Sequence, residues 1–342
     1  MLKEISKNGT STQKDWALRT LTVTENFRGR RQAMGSLASV GLPSAGDKRR
    51  TVYNAKNGLD LPGVVVRREG EPPVSNDPAI NEAYEGSGIT YDFYQKLYER
   101  NSIDDKGMPL ISTVHYDKDY DNAFWNGSQM VYGDGDGDIF NRFTKSLDVI
   151  GHELTHGVTE HEAALVYFDQ PGALNESFSD VFGSLVKQWS KGQTVDQADW
   201  IIGEGLFTSK VNGVGIRSMK APGTAYNDPV LGKDPQPDNM SNLYTGSDDN
   251  GGVHINSGIP NRAFFLAASE IGGYAWEKAG KIWYITLRDN LRNRATFQAA
   301  AKATIQTAAS LYGENSLECR AVAHAWEQVG VKKHTKKPTT VA

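Results

Sequence analysis

The two halves of this chain differ in how apolar and polar residues alternate. Short strand-like runs at 111–116 and 129–132 lie in a first half that is rich in Gly, Asp and Tyr, a pattern typical of β-strands joined by turns. After residue 145 the apolar positions recur at helical spacing, and alanine-rich stretches at 262–271 and 295–312 predict long helices. Strands first and helices second predict an α+β fold with the two types of element segregated and a cleft between the halves.

The first fifty residues differ from both halves because they are mostly polar. Trp16, Leu18, Leu21 and Val23 follow a short helical pattern in this segment. A piece of this size cannot bury a core of its own, so we expect it to pack on the main body or to be removed from it. The predicted regions are a short N-terminal segment (1–50), a β-rich domain that ends in a helix (51–160), a helical domain (161–331) and a flexible tail (332–342).

Composition and charge exclude several classes of protein. The formal net charge of the 342 residues is −4, which is not the basic balance of a nucleic-acid-binding protein. No stretch of ~18 apolar residues is present, so no membrane-spanning segment is predicted. Residues 1–10 lack the apolar stretch of a secretory signal, and the single cysteine, Cys319, cannot form an intrachain disulfide. We expect a monomer with neither a membrane nor a nucleic-acid partner.

The helix predicted over 146–161 carries a candidate metal site. It contains the sequence HELTH at 152–156, and residues four apart lie on the same face of a helix, so the imidazoles of His152 and His156 can reach one cation. Glu153 is rotated by about 100° from His152, so it borders the metal without having to ligate it. A catalytic zinc site needs a third protein ligand and a water molecule.

Glu176 and Asp180 can complete this site from a second predicted helix, in the sequence NESFSD. They are also four residues apart, so one carboxylate can bind the metal while the other accepts the ring N–H of a ligand histidine. We assign Glu176 to the metal and Asp180 to that histidine. Amide hydrolysis without a covalent intermediate follows, because zinc lowers the pKa of a bound water towards ~7 and Glu153 can pass its proton to the leaving amine.

The motifs around this site resemble those of the thermolysin family of zinc metalloendopeptidases. The matching segments are NAFWNGSQMVYGDG (122–135), DVIGHELTHGV (148–158), GALNESFSD (172–180), RSM (217–219) and DNGGVHINSG (249–258). The resemblance implies a two-domain fold with the active-site cleft between a β-rich N-terminal half and a helical C-terminal half. It also implies one catalytic zinc ion, protein or peptide substrates, and secretion.

The resemblance assigns further roles, residue by residue. His254 and Tyr167 would hydrogen-bond the oxyanion, with Asp249 orienting His254. The substrate peptide would be aligned by Asn122 and by the backbone of Ala123 and Trp125. An apolar pocket for the residue after the scissile bond would be shaped by Phe140, Val149, Ile202, Leu206 and Arg217.

One departure from the family pattern concerns calcium. Family members often carry a double calcium site beside the cleft, and Asp148, Asp199 and Glu204 match that site. Lys187 and Ile201 stand where further acids are expected. Because a lysine ammonium could replace the charge of one cation and pair with the carboxylates facing it, we predict that the double site is lost and that at most one weak calcium remains.

The other departure is the short N-terminal segment. The stretches at 5–31 and 50–56 resemble a protealysin-like branch of the family, which has a compact prosegment in place of a long one. That prosegment usually opens with a Pro-Pro motif, which is missing here, so either the start is truncated or this member differs. We hypothesise that residues 1–50 are a prosegment, and that maturation cuts near Asn54 or Ala55.

Two other functions stay open at this stage. One is a metal-binding or interaction protein that keeps the scaffold without cleaving, which the presence of Glu153 beside all three ligands disfavours. The other is an aminopeptidase, which is disfavoured because no dedicated site for a substrate's N-terminal amine is visible. The favoured function is a neutral metalloendopeptidase that prefers an apolar residue just after the cut.

Overall fold

The N-terminal half is organised around a five-stranded mixed sheet. The computed structural model describes residues 1–34 and 47–331, without the side chains of residues 25–34, so the predicted tail lies outside the described residues. The strands are β1 (Arg50–Asn54), β2 (Val64–Arg68), β3 (Leu110–Val114), β4 (Ala123–Trp125) and β5 (Met130–Tyr132). Their order in the sheet is β2-β1-β3-β5-β4, which makes β4 an edge strand, the position at which an extended peptide can add to a sheet.

A 21-residue helix, α3 (Pro78–Tyr98), also belongs to this half, and the sequence pattern did not predict it. Asp77 caps its first turn by accepting a hydrogen bond from the Ile80 N–H. The helix packs closely on its neighbours, since a Cβ added at Gly86 would lie 2.4 Å from Ile150 Cδ1. Asn81, Glu85, Asp92 and Lys96 lie at helical spacing on the face of α3 that is not buried, so the amphipathic pattern was present in the sequence and was overlooked.

The C-terminal half is helical, as predicted. Its helices are α4 (Leu147–His161), α5 (Asp169–Lys191), α6 (Asp248–Asn256), α7 (Gly258–Ile271), α8 (Ala279–Ile285), α9 (Phe297–Tyr312) and α10 (Leu317–Gln328). Two short antiparallel ribbons lie between α5 and α6, formed by β6 (Ile201–Ile202) with β7 (Arg217–Ser218) and by β8 (Asn227–Asp228) with β9 (Gly232–Lys233). Within residues 1–34 and 47–331, no helix is both long and apolar enough to cross a membrane.

Helices α4 and α5 meet at the boundary between the halves through two glycines. A Cβ at Gly151 would lie 3.1 Å from Gly183 Cα, and a Cβ at Gly183 would lie 2.3 Å from the Asp148 carbonyl oxygen. No side chain fits at this crossing, so the two backbones are in direct contact. This close approach sets the register in which α5 presents Glu176 to the histidines of α4.

The N-terminal segment forms two helices, α1 (Leu2–Asn8) and α2 (Ser11–Met34), that pack on the main body. The predicted helix is confirmed, but its apolar residues do not mark the buried face, since Leu18 is 53% exposed. The face of α2 that is buried consists instead of small and polar residues at helical spacing: Gln13, Ala17, Thr20 and Thr24. Val23 packs beside this face on the cluster of Tyr116, Tyr120, Phe124 and Val131, so hydrophobic spacing revealed only part of the contact.

The position of β1 contradicts a maturation cut near Asn54 or Ala55. This strand lies between β2 and β3, pairs with both, and buries Val52 to 1% exposure. Releasing everything up to residue 54 would withdraw an internal strand and leave β2 without its partner. A mature chain that keeps this sheet intact begins before β1.

A charged histidine joins three parts of the N-terminal half. The ring of His115 lies between Asp134, 2.8 Å from Nδ1, and Asp77 at the start of α3, 3.0 Å from Nε2. The hydrogen bond with Asp134, together with the contact to Asp77, raises the pKa of His115 to about 9 despite its partial burial. A group whose pKa rises on folding contributes stability that is complete below its unfolded pKa and lost as pH rises through the folded one.

We therefore predict that His115→Gln lowers the free energy of unfolding by roughly 1–2 kcal/mol below pH 6.5, after allowance for solvent screening. The difference from wild type should shrink as pH rises from 6.5 to 9, because the wild-type histidine then loses its charge in the folded state. Urea unfolding across this pH range measures the effect, with His161→Gln at the exposed end of α4 as the control. A pH-independent difference would contradict the assignment.

Candidate metal centre

Three side chains converge at the boundary between α4 and α5. His152 Nε2 lies 3.1 Å from His156 Nε2; Glu176 Oε2 lies 3.4 Å from the former nitrogen and Glu176 Oε1 lies 3.4 Å from the latter. All three side chains are buried, and one ligand atom from each lies within 4.8 Å of the other two. Within the part of the chain that the structure describes, no other His, Cys, Asp and Glu side chains form such a group.

The second ring nitrogen of each histidine has its own acceptor. His152 Nδ1 lies 2.8 Å from Asp180 Oδ1, and His156 Nδ1 lies 2.7 Å from Asn175 Oδ1. The amide orientation of Asn175 is fixed because its Nδ2 donates to the Leu165 carbonyl. With both Nδ1–H groups donating, the lone pairs of the two rings are carried by the Nε2 atoms that face each other.

These residues fit a zinc ion. Two imidazole nitrogens 3.1 Å apart, each with a lone pair directed at the same place, repel each other unless a cation lies between them. Glu176 Oε2 is buried and accepts no hydrogen bond from any described residue. Two histidine nitrogens and one carboxylate oxygen are a ligand set typical of catalytic zinc, which keeps a further position for water or substrate.

Asp180 is held in place from three sides. Arg217 donates to both of its oxygens, at 2.6 and 2.7 Å, and Asn261 Nδ2 donates to Oδ2 at 2.8 Å. Burial alone would raise the pKa of Asp180, but the Arg217 guanidinium and the His152 ring lower it to about 2. Asp180 is therefore an anion that fixes the orientation of His152, and Arg217 acts on this carboxylate in addition to lining the cleft.

Asn175 and Asn261 were missed by the sequence reasoning. An acceptor was predicted for one histidine only, although both ligand rings need one. Asn175 directly precedes Glu176 on α5, so a search of that helix for a second acceptor could have found it. Nothing local points to Asn261, because it reaches Asp180 from α7.

Glu153 stands beside the three ligands, on the side of β4. The backbone N–H of Trp125 donates to its Oε2 over 3.1 Å, which holds the carboxylate against the edge strand. The close contact between α4 and β4 is possible because residue 157 is glycine, where a Cβ would lie 3.1 Å from Trp125 Cε2. The predicted general base and the predicted peptide-aligning strand thus lie next to each other.

The predicted oxyanion-binding residues form a chain of hydrogen bonds on the opposite side. The Tyr167 hydroxyl lies 3.1 Å from His254 Nε2 and also contacts Glu176. His254 Nδ1 lies 2.6 Å from Asp249 Oδ1, and the backbone N–H of His254 donates to Asp249 Oδ2. Asp249 can fold back in this way because four consecutive residues, 249–252, have φ between 52° and 81°, and glycine supplies the last two.

A cleft of about 820 Å³ opens onto the three candidate ligands and onto Glu153, Tyr167 and His254. Of the residues predicted to shape its apolar pocket, Phe140, Val149 and Arg217 line it, together with Phe143 and Ile216, which were not predicted. Ile202 and Leu206 are fully buried and are not among the lining residues. The predicted peptide-aligning residues Asn122, Ala123 and Trp125 line the cleft, and so do Leu2, Lys3 and Glu4 of α1 and Leu21 and Thr24 of α2.

The carboxylates predicted for a weak calcium site are occupied by a lysine. Lys187 Nζ lies 2.7 Å from Asp148 Oδ2, 2.9 Å from Asp199 Oδ1 and 2.7 Å from the Ile201 carbonyl oxygen. Burial alone would lower the pKa of Lys187, but Asp148 and Asp199 raise it above its ordinary value, so the ammonium stays charged. Glu204 contacts Asp199 and lies 3.9 Å from Lys191 Nζ.

Comparison with known proteins agrees with this geometry. Residues 44–160 match the family model described as the thermolysin metallopeptidase catalytic domain, and residues 163–331 match the model of its alpha-helical domain. The chain is 52% identical to an extracellular metalloprotease of Pectobacterium carotovorum subsp. carotovorum, over 97% of this chain and 94% of that protein. It is 50% identical to protease PrtS of Photorhabdus sp. (strain Az29), over 97% of this chain and 90% of that protein.

Among solved structures, the chain is similar to the precursor of protealysin, a metalloproteinase from Serratia proteamaculans. The TM-score is 0.88 and the sequence identity 53%, and the match covers 97% of both chains. The family resemblance and the fold class predicted from the sequence are thereby confirmed. Since both family models match in chain order and the relatives are at least 50% identical over nearly their whole length, the chain belongs to the thermolysin metallopeptidase family of zinc-dependent peptide hydrolases.

Proposed function

We propose that this chain is the precursor of a secreted zinc endopeptidase that cuts proteins just before an apolar residue. The observation that carries the proposal is the convergence of His152, His156 and Glu176 in a cleft that also presents Glu153 and an edge strand. Secretion is supported by the relative named as an extracellular metalloprotease.

The catalytic roles follow from the geometry. His152, His156 and Glu176 would hold a zinc ion, which as a Lewis acid would polarise the substrate carbonyl and activate a water molecule. Glu153, fixed by the Trp125 N–H, takes the proton of that water and delivers it to the nitrogen of the leaving amine. Both transfers need a carboxylate within hydrogen-bond reach of the scissile bond, which lies against β4 when the substrate extends the sheet.

Charge that develops on the carbonyl oxygen needs donors that are already in place. Tyr167 can donate its hydroxyl, and His254 can donate from Nε2 when its ring carries both protons. Asp249 accepts the Nδ1–H of that ring at 2.6 Å, which fixes the orientation of the ring. Asn122 and the backbone of Ala123 and Trp125 would align the peptide on the other side of the cleft.

A doubly blocked peptide tests this function against the aminopeptidase alternative. With an acetylated start, an amidated end and an internal Gly-Leu bond, it should be cut before Leu, because the apolar pocket of Phe140, Phe143, Val149 and Ile216 receives that side chain. A zinc chelator should abolish the cleavage and added zinc should restore it. Exchange of Leu for Asp should lower kcat/KM by at least roughly 100-fold, since a carboxylate would be desolvated without a partner. A requirement for a free N-terminal amine would contradict endopeptidase action.

The N-terminal helices support a precursor form. Residues of both α1 and α2 line the cleft in which the substrate would lie, and the similar solved structure is that of a precursor. Residues 1–50 were the predicted prosegment, and β1 limits how much of that segment can leave. Lys48 Nζ lies 2.8 Å from Asp92, and the Leu110 N–H donates to the Arg49 carbonyl, so the chain joins the folded body before β1 begins.

We predict that the active enzyme retains these contacts. N-terminal sequencing of the processed protein should return a residue at or before Lys48, since a later start would remove the pairing of Arg49 and β1 with β3. The control is a chain inactivated by Glu153→Gln. If that chain is still processed, other proteases make the cut. A mature start at Ala55, with β1 lost, would contradict the prediction.

We further propose that Lys187 replaces a calcium ion as the cation between Asp148 and Asp199. Its ammonium contacts both carboxylates and the Ile201 carbonyl, which are the kinds of oxygen atom that calcium would use. A lysine and a calcium ion cannot occupy this position together. The enzyme should therefore need no calcium at this site.

A further inference from the structure

The ribbon β8–β9 forms a wall of the cleft next to the apolar pocket. Tyr226 directly precedes β8 and Lys233 ends β9, and both residues line the cleft. The ring centroid of Tyr226 lies 6.0 Å from that of Phe207, which in turn lies 5.6 Å from that of Phe140 in the apolar pocket. A peptide whose first residue after the cut fills that pocket therefore passes the ribbon with the residues that follow.

Two aspartates hold the ribbon in shape. The carboxylate of Asp228 accepts hydrogen bonds from three backbone N–H groups, those of residues 212, 230 and 231. Asp234 does the same with the N–H groups of residues 223, 225 and 236, which offset its negative charge although it belongs to the cleft lining. The wall therefore has its geometry before a substrate arrives.

Two polar groups of this wall are available to a substrate. Lys233 is exposed, and its ammonium forms no ion pair within the part of the chain that the structure describes. Tyr226 is only 5% exposed, yet its hydroxyl forms no hydrogen bond with any described residue. Among the described residues outside α1, the lysines and arginines that line the cleft are Lys233 and Arg217, and Arg217 is paired with Asp180.

An acidic side chain of the chain itself lies against this wall. A Cβ added at Gly232 would lie 3.6 Å from Glu4 Cγ. Burial raises the pKa of Tyr226, and the negative charges of Asp234 and Glu4 raise it further. The carboxylate of Glu4 pairs with Lys7 of its own helix. The wall thus accommodates a carboxylate beside Tyr226.

We propose that the ribbon is a second specificity subsite, which selects an acidic side chain at one of the two positions that follow the apolar residue of the substrate. The inference rests on the proposed function and deepens it by adding a charged preference to the apolar one. Lys233 supplies the opposite charge, and the Tyr226 hydroxyl donates a hydrogen bond to the carboxylate. That bond is shielded from water and involves an ionised acceptor, so it discriminates a carboxylate from a neutral amide.

Cleavage of matched peptides tests this inference. Doubly blocked peptides with an internal Gly-Leu bond carry Glu or its neutral isostere Gln at the first or the second position after Leu, and kcat/KM is measured with the zinc-loaded, processed enzyme. At one of these positions Glu should be preferred over Gln by roughly tenfold. The preference should shrink as salt is added, because ions screen the charge of an exposed lysine.

Variants separate the two groups. Lys233→Met removes the ammonium and Tyr226→Phe removes the hydroxyl, and each should lower the preference for Glu to roughly threefold. Lys233→Glu should favour Lys over Gln at the same position. The matched control is Lys220→Met, at an exposed lysine that does not line the cleft, and it should leave the preference unchanged.

Two results would overturn the inference. One is equal kcat/KM for the Glu and Gln peptides at both positions, and the other is a preference for Glu that Lys233→Met retains in full. Failure of the processed enzyme to cut the Gly-Leu bond in any of these peptides would instead overturn the proposed function, so the two failures are distinguishable.

Discussion

Replacing Glu153 by glutamine should lower kcat/KM for peptide cleavage by roughly 10²- to 10⁴-fold, while zinc binding and the fold remain intact. Glutamine has the same shape and can keep the hydrogen bond from the Trp125 N–H, but it cannot take a proton from water. The loss should appear mainly in kcat, because Glu153 acts on the reacting atoms and does not line the apolar pocket.

The measurement is steady-state hydrolysis of the doubly blocked peptide, with metal content determined on the same samples. Glu277→Gln, an exposed residue that does not line the cleft, makes the same chemical change and should retain wild-type activity. Cleavage at the wild-type rate by the zinc-loaded Glu153→Gln protein would contradict the assigned base.

The second large effect is expected at Lys187. Removing its ammonium with Lys187→Met leaves the fully buried Asp148 without a counter-charge, which should lower the free energy of unfolding by roughly 3–5 kcal/mol. Calcium should restore little of this loss, because methionine supplies no oxygen ligand. Lys191→Met, one turn further along α5 and largely exposed, is the control and should have little effect on stability.

Lys187→Glu reverses the charge at this position and supplies a carboxylate that calcium can bind. Four carboxylates, of residues 148, 187, 199 and 204, would then gather around the Ile201 carbonyl, and their repulsion should destabilise the protein when no cation is present. Millimolar calcium should recover most of that stability, whereas the wild-type melting temperature should not respond to calcium. Thermal unfolding with and without a calcium-selective chelator measures both effects. A wild-type protein that loses stability with the chelator would contradict replacement of calcium by Lys187.

The metal centre was the part of the molecule most open to prediction, since its geometry is largely local. His152 and His156 are fixed by one turn of α4, and Glu176 and Asp180 by one turn of α5. The sequence could not show how the two helices cross, because the contact of Gly151 with Gly183 is a tertiary property. The support of Asp180 by Asn261, distant in sequence, was hidden for the same reason.

Other features were missed because burial was inferred from hydrophobicity. The spacing of apolar residues was misleading in α2, where the buried face consists of threonine, alanine and glutamine. The ion pairs of Lys187 with Asp148 and Asp199 were predicted, because the family resemblance placed this lysine at the calcium-binding carboxylates. Periodicity identifies a helix, but the chemistry of the receiving surface decides which face it buries.

The proposed function depends most directly on the three proposed zinc ligands. Its test is the molar ratio of zinc to protein in wild type and in Glu176→Ala, measured after dialysis and beside peptide cleavage by the same samples. We predict one zinc per wild-type chain, and for Glu176→Ala a loss of both zinc and cleavage with the fold retained, since two histidines alone underfill the site. A Glu176→Ala protein that keeps its zinc and its activity, or a zinc-free wild type that cleaves the peptide, would contradict the account.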